Sequence, residues 1–266
     1  MSSQLLSREV FSGEFIRLER AGNGVARLVL DRPPLNVLHI PMLRELDQAL
    51  TGLSSDAELK LLVLTGEGRA FCAGVDVADH TAGRVEFMIE AFHGVVRKLL
   101  VQEAPVVAAV NGPALGGGCE LVLACDLVIA SEQAKLGQPE IQLGVFPPVA
   151  AALLPRLIGL QRALDLILTG RVIDAAEARE IGLVSRVAPA DRFIDAVEAY
   201  VDSLAGLSGP VLRLTKRTVV DGLAEQLPDA FDEAEKRYLH ELMDLQDPHE
   251  GLAAFIEKRE PVWRDA

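Results

Sequence analysis

The 266-residue chain is half hydrophobic and carries a formal net charge of −13 at pH 7. This length suits one sizeable domain, alone or with a small appendage, and the apolar fraction is sufficient for a large core. The negative charge argues against nucleic acid or an anionic membrane as a partner. No apolar run reaches the ~20 residues of a membrane span and no secretory signal is visible, so we expect a cytoplasmic protein.

Short apolar runs that read as buried strands alternate with longer helical patterns. In chain order, the pattern predicts a strand at Val25–Leu30, a helix whose first turn holds Pro41, a strand at 59–65, a helix at 87–99, strands at Val106–Val110 and 126–130, and a helix that follows Pro155. Strand, helix and strand in succession are typical of parallel crossovers. The sequence therefore predicts an α/β fold.

The C-terminal part of the chain shows only helical patterns. Residues 206–210, GLSGP, read as a joint, and two patterns follow: one through Phe231, Ala234, Tyr238, Leu242 and Leu245, and one at 249–259. We therefore divide the chain into a core at 1–205 and a helical region at 206–266. Because this region is too short for a core of its own, we expect it to pack on the main domain or on a neighbouring subunit.

Two glycine-containing loops, TGEGRAFCAGVD at 65–76 and NGPALGGGCE at 111–120, each follow a predicted strand. In each loop glycines lie where a helix would begin, and a helix N-terminus presents unpaired N–H groups. Two such loops facing one point would direct two backbone donors at one oxygen, which is an oxyanion hole. The alternative for the glycines at 116–118 is that bare backbone merely permits close strand–helix packing.

Two other groups of reactive side chains are interpreted as structural. Asp76, Asp79 and His80 could place two oxygens and one nitrogen on one turn, but carboxylates at a helix start usually satisfy free N–H groups. Since no second ligand cluster supports a metal, we predict none. The three cysteines, which form no CxxC pair and are expected to be free thiols, are Cys72, Cys119 and Cys125.

Several segments in order resemble the signature blocks of the crotonase (enoyl-CoA hydratase/isomerase) superfamily: DRPPLNVL, RAFCAGVD, GPALGGGCELVLACDLVIA and LGQPEIQLG. The resemblance runs from about Asp31 to Val187, with weaker similarity in the helical region. It implies a spiral of ββα units followed by a helical trimerisation region, and hence a homotrimer or a homohexamer. It also implies an acyl-CoA thioester as substrate, with coenzyme A as part of that substrate and no separate cofactor.

The resemblance assigns roles to residues of both loops and of the helical region. The amides of Val75 and Gly117 would form the oxyanion hole that receives the thioester oxygen. The implied coenzyme contacts are Arg69 at a phosphate, Val75, Asp76, Val77 and Ala78 along the thioester and pantetheine path, and Phe255 and Lys258 at a neighbour's coenzyme.

Glu120 and Glu140 match the two catalytic glutamates of the hydratases. Two carboxylates around one water can activate the water and deliver a proton to carbon, and like charges in a dry cleft keep one proton available. The resemblance makes Glu140 the proton donor and Glu120 the group that holds and polarises the water. The pair favours a hydratase over an isomerase or hydrolase of the superfamily. The acidic charge disfavours a third alternative, a non-catalytic relative that binds RNA or a protein partner.

The chain departs from common hydratases just after Glu140, where GVFPPVAAALLP replaces a glycine-rich segment. We expect an acyl pocket of altered shape, formed by Phe146, Pro148, Val149 and Ala150. Together with RPPLNVL and GVDVADH, this segment is similar to the cyclohexadiene-carbonyl-CoA hydratases. That similarity implies a flat ring acyl group from aromatic degradation.

Overall fold

The computed structural model describes residues 8–81, 83–221, 232 and 234–262. Within them, the main sheet has seven strands: β1 (Arg8–Ser12), β2 (Ile16–Arg20), β3 (Val25–Leu30), β4 (Leu61–Gly66), β5 (Val106–Val110), β7 (Leu127–Ser131) and β10 (Arg186–Ala188), adjacent in that order. The first three strands pair antiparallel and the remaining pairs are parallel. The parallel part follows from the helical crossovers that the sequence predicts.

A smaller sheet lies beside the ends of the main one. It contains β6 (Ala114–Leu115), β8 (Lys135–Gly137) and β9 (Val172–Asp174), with β6 parallel to β8 and β8 antiparallel to β9. The Gly116 N–H donates to the Gly137 carbonyl oxygen at 2.9 Å, which extends this pairing by one step. The second sheet thereby brings the chain after β6 and the chain after β8 to the same place.

The helices surround the sheets. They are α1 (Ile40–Ser54), α2 (Val85–Val101), α3 (Gly117–Leu123), α4 (Pro148–Ile158), α5 (Leu160–Thr169), α6 (Ala175–Glu180), α7 (Phe193–Ala205), α8 (Gly209–Asp221) and α9 (Gln246–Glu257). The buried face of α1 includes Met42, Leu46 and Leu50, as its period of three to four residues predicts. Among the described residues, no helix is both long enough and apolar enough to cross a membrane.

The core lies on both faces of the main sheet. On one face Val25, Leu61 and Val107 pack against Phe193 and Val197 of α7. The other face, with α1, α2, α3 and α4, forms the larger apolar cluster. Strands with both faces buried explain why the sequence shows continuous apolar runs rather than alternation.

The predicted strands are confirmed within two residues, and the helix predicted after Pro155 is confirmed as α5, but the boundary placed at Pro155 is wrong. Pro155 lies inside α4, which begins at Pro148, and the interruption comes at Gly159 with φ +84°. Proline removes a single intrahelical hydrogen bond here, three residues before the end of the helix, so α4 continues past it. The positive φ of Gly159, which favours glycine, then starts α5 in a new direction.

The helical region packs on the main domain. The Lys60 ammonium group donates to the carbonyl oxygens of Ala205 and Leu207, and the Arg213 guanidinium donates to that of Leu59. Tyr238 lies in the larger core cluster. Phe231, which the sequence places on the same helical face, lies outside the described residues.

Candidate active site

The two glycine loops are joined to each other by backbone hydrogen bonds. The N–H groups of Phe71 and Cys72 both donate to the Pro113 carbonyl oxygen at 3.1 Å, and the Leu115 N–H donates to the Cys72 carbonyl oxygen at 3.0 Å. The loop after β4 and the loop after β5 therefore form one unit.

Val75 is the last residue but one of the first loop. Its N–H points away from Leu38, the residue with which it forms a backbone bridge. Leu38 forms a parallel bridge with Val75 by donating to the Gly74 carbonyl oxygen and accepting from the Asp76 N–H. In such a bridge the central residue's own N–H and C=O point to the opposite side. No backbone acceptor for the Val75 N–H occurs among the described residues.

Gly117 is the first residue of α3, so its N–H is one of the unpaired donors of a helix N-terminus. It lies next to Val75, because a Cβ built on Gly117 would be 2.6 Å from the Val75 Cγ2 atom. Both residues line one cavity. The structure thus brings two unpaired backbone donors to a single wall.

The three consecutive glycines are each explained by a different close contact. A Cβ on Gly116, whose φ is +52°, would lie 2.5 Å from the Glu140 Oε1 atom. A Cβ on Gly118 would overlap the Cys72 carbonyl oxygen. Packing within the protein, which the sequence left as the alternative, therefore accounts for Gly118 and contributes at the other two positions.

The cavity has a volume of about 240 Å³ and is mostly apolar. Its polar side chains include the carboxyl groups of Glu120 and Glu140 and the imidazole of His80. The apolar residues of its wall include Val75, Val77, Phe92, Phe146, Pro148 and Phe255. A few polar groups that converge in an apolar cavity are typical of a small-molecule site.

Glu120 projects from α3 and is 4% exposed. Its Oε1 atom accepts a hydrogen bond of 2.8 Å from the Ala150 N–H at the start of α4. Burial raises the pKa of this carboxyl to about 7, and hydrogen bonds from the backbone of Ala150 and Val149 limit the rise. Two backbone donors thus favour the charged form of Glu120.

Glu140 lies on a short 3₁₀ helix, Pro139–Leu143, directly after β8. Burial and then repulsion from Glu120 raise the pKa of its carboxyl well above the ordinary range. Two carboxyls that repel one another in a buried cavity hold one proton between them. Repulsion from Glu120 adds to burial at Glu140, so Glu140 is the member of the pair that more readily keeps the proton.

Gln138 is a site residue that the sequence analysis missed. Its side chain is buried, and the hydrogen-bond network directs its amide nitrogen at Glu140, where it donates to both carboxyl oxygens at 3.2 and 3.3 Å. The residue lies two positions before Glu140 within LGQPEIQLG, and this proximity could have identified it from the sequence.

The four residues expected in the acyl pocket separate into two pairs. Phe146 and Pro148 line the cavity. Val149 and Ala150 are wholly buried in the core and do not line the cavity. The expectation that their side chains face an acyl group is therefore wrong. Their contribution to the site comes from the backbone, through the hydrogen bonds to Glu120.

The residues expected to contact coenzyme A surround the cavity mouth only in part. Val75 and Val77 line it, whereas Arg69, Ala78 and Lys258 are exposed and do not. Phe255 lines the cavity of its own chain and is also half exposed, and its expected contact with a neighbour's coenzyme stays a prediction. Lys258 ends α9 in the left-handed conformation with φ +56°.

The acidic cluster after the first loop has a structural role. The Asp76 carboxylate accepts from the Ala78 N–H and caps a short helix, Val77–His80. Asp79 is buried, where it accepts from the Ile40 N–H at 3.0 Å and from the Arg84 guanidinium. Within the part of the chain that the structure describes, no group of three or more His, Cys, Asp or Glu side chains is arranged to hold a metal ion.

Comparison with known proteins shows the family to which the chain belongs. The enoyl-CoA hydratase/isomerase family matches residues 20–266. A probable enoyl-CoA hydratase of Mycobacterium tuberculosis is 41% identical over 253 residues, covering 93% of this chain and 97% of the relative. The cyclohexa-1,5-dienecarbonyl-CoA hydratase of Thauera aromatica is 38% identical over 248 residues, covering 93% and 95%.

Solved structures agree with this family. An enoyl-CoA hydratase from Mycobacterium avium subsp. paratuberculosis has a TM-score of 0.85 to this chain at 30% identity, covering 96% of this chain and all of the other. The chain has the α/β crotonase fold of ββα units with C-terminal helices, and it belongs to the enoyl-CoA hydratase/isomerase family.

Proposed function

We propose that the protein is a hydro-lyase that adds water to the conjugated double bond of an enoyl-CoA thioester. The observation that carries this proposal is a buried glutamate, Glu120, that repels a partly buried one, Glu140, beside two unpaired backbone donors. The Val75 and Gly117 N–H groups would donate to the thioester carbonyl oxygen. They would stabilise the negative charge that develops on that oxygen as water attacks.

The two glutamates divide the proton transfers. Glu120, as the carboxylate, orients the water and accepts its proton as the water oxygen bonds to the β carbon. Glu140, as the acid, gives its proton to the α carbon of the enolate. The pair begins and ends with one proton, which must return from Glu120 to Glu140 before the next turnover.

A hydratase is favoured over an isomerase or a hydrolase because both carboxyls face one cavity. Moving a double bond requires one proton to leave and one to return, which a single carboxyl can perform. Two carboxyls of different pKa supply the separate base and acid that adding water requires. The relatives named above as hydratases support the same reading.

A finer proposal concerns the acyl group, for which we favour a flat alicyclic dienoyl thioester of aromatic degradation. Two things support it: Phe146 and Pro148 line the cavity from a segment that replaces the glycine-rich one of common hydratases, and one relative carries the name of a dienecarbonyl-CoA hydratase. The coenzyme portion would extend past Asp76 and Ala78 toward Arg69, with Phe255 and Lys258 at the mouth.

We also propose that region 206–266 mediates assembly into a homotrimer or a homohexamer. Its α8 exposes Val211, Leu214 and Val219, and α5 exposes a second apolar row at Leu160, Leu164 and Leu168. Apolar rows of this kind on two helices favour contact with further copies of the chain. Light scattering at micromolar concentration checks this proposal, and a monomer would contradict it.

The test of activity is a panel of straight-chain enoyl-CoA and cyclic dienoyl-CoA thioesters with the products read by mass spectrometry. A hydratase adds one water to the thioester. A product of unchanged mass would indicate an isomerase, and release of free coenzyme A would indicate a hydrolase. Either result in place of hydration would refute the proposed function.

A further inference from the structure

Tyr238 has a buried hydroxyl group with no hydrogen-bond partner among the residues that the structure describes. The residue is 1% exposed, and its side chain forms part of the wall of the catalytic cavity. A buried hydroxyl without a partner is unfavourable, and a phenylalanine would fill the same space without that cost. The hydroxyl is therefore available to a group from outside the described residues, such as a ligand in this cavity.

The tyrosine ring is fixed in place by its surroundings. It meets Phe146 edge to face, with ring centroids 5.4 Å apart and planes at 72°. Its backbone opens a π-helical turn, Tyr238–Leu242, in which the Met243 N–H donates to the Tyr238 carbonyl oxygen at 3.1 Å. Such turns interrupt helices frequently at functional sites.

The hydroxyl is a neutral donor at ordinary pH. Burial, and then the negative charge of Glu140 and Glu120, raise the pKa of the Tyr238 phenol, so it retains its proton. Tyr238 and Phe146 line the same cavity as the two glutamates. A group bound there would have an acyl carbon near the carboxyls and its far end near Tyr238 and Phe146.

We propose that Tyr238 determines specificity by donating a hydrogen bond to an oxygen carried on the acyl chain of the substrate. This inference rests on the proposed function, which places an acyl chain in the cavity. A site with an unpaired donor binds a ligand that brings an acceptor better than an otherwise identical ligand without one. The substrate class is thus an acyl-CoA, cyclic or straight-chain, whose acyl group carries a hydroxyl or keto oxygen beyond the thioester.

The test measures binding by calorimetry and needs no turnover. The probes are hexanoyl-CoA and its 4-, 5- and 6-hydroxy derivatives, which place one oxygen at successive positions. The wild-type protein should bind at least one hydroxy derivative more tightly than hexanoyl-CoA. In Tyr238→Phe that preference should fall about 5- to 20-fold, with the affinity for hexanoyl-CoA unchanged or higher.

Tyr200→Phe is the matched control, because Tyr200 is the other tyrosine of the chain and lies on α7 beneath the Arg186 guanidinium, outside the cavity. It should leave the preference unchanged. A wild-type protein without preference for any hydroxy probe, or a preference that survives in Tyr238→Phe, would overturn the inference.

Two further measurements separate this inference from the proposed function. The melting temperature of ligand-free Tyr238→Phe should equal or exceed that of the wild type, and a fall would show that the hydroxyl has a partner within the protein. Hydration of crotonyl-CoA by the wild type tests the function alone. Hydration without a binding preference refutes only the role of Tyr238, and a preference without hydration refutes only the hydratase.

Discussion

The α carbon of Gly116 lies so close to the Glu140 carboxyl group that an added Cβ would be 2.5 Å from its Oε1 atom. The first glycine of the triplet thus reserves the space that the acid of the pair occupies. Gly116→Ala should displace the flexible end of Glu140 and lower kcat by about 10²-fold or more, since the acid no longer reaches the α carbon. Steady-state kinetics with the thioester that the wild type hydrates checks this prediction.

Gly68→Ala is the control for that substitution. Gly68 also has a positive φ, +75°, but an added Cβ would meet no atom within 4 Å. Both variants should lose about 1–3 kcal/mol of unfolding free energy from backbone strain, and only Gly116→Ala should lose activity. Equal activity in the two folded variants would show that Gly116 does not maintain the position of Glu140.

Glu140→Gln keeps the shape of the side chain and removes its acid function. We expect kcat to fall roughly 10²–10⁴-fold while the affinity for a saturated acyl-CoA changes little. Chemical denaturation should show that the variant remains folded. If the pure variant turns over at the rate of the wild type, Glu140 is not the proton donor.

The raised pKa of Glu120 makes a prediction about stability. Its carboxyl has an ordinary pKa of 4.5 in the unfolded chain and about 7 in the folded protein, so the folded state binds more protons between these values. The corresponding stability is fully present below pH 4.5 and is lost as the pH rises through 7. The loss is at most roughly 3 kcal/mol, at about 1.4 kcal/mol per unit of pKa.

Glu120→Gln should therefore be more stable than the wild type at pH 8 and gain little at pH 4.5. Urea denaturation at both values measures the difference. Glu86→Gln, which changes an exposed carboxyl on α2, is the control and should show a much smaller difference between the two pH values. The same dependence in both variants would contradict the assigned cause, which is burial of Glu120.

The two parts of the predicted acyl pocket should respond differently to truncation. Phe146→Ala enlarges the cavity wall and should raise kcat/KM for 2-hexenoyl-CoA relative to crotonyl-CoA by up to roughly 10–200-fold. Val149→Ala, in the core, should instead lower the unfolding free energy by about 1–3 kcal/mol and leave that ratio within about twofold. A shift of the ratio in folded Val149→Ala would mean that Val149 does face the acyl group.

The sequence predicted the fold class, the main parallel strands and the superfamily, because buried strands and motif order are local properties of the chain. It could not predict which contact each glycine serves, since Glu140 and Cys72 approach the triplet only through tertiary structure. The same limit applied to Val149 and Ala150. Their neighbours along the chain line the cavity, yet the start of α4 turns these two side chains inward and leaves only their backbone at Glu120.

The helix boundary predicted at Pro155 is wrong for a related reason. Proline is a reliable sign of a helix boundary only where the lost hydrogen bond matters, and here it falls near the end of α4. Gly159 marks the actual boundary between the two helices, since its φ of +84° is one that other residues rarely adopt. The sequence offers both residues within one short segment, and only the observed dihedral angles decide between them.

The hydrogen bonds between the two glycine loops run from backbone to backbone, through Pro113 and Cys72. The spacing of the Val75 and Gly117 amides is thus set by main-chain contacts when the chain folds, on condition that position 117 has no Cβ to meet the Val75 side chain. Carboxyl groups outside this unit could be replaced without moving the two donors. A lineage with this scaffold can therefore replace one acid at a time while both unpaired backbone donors stay in place.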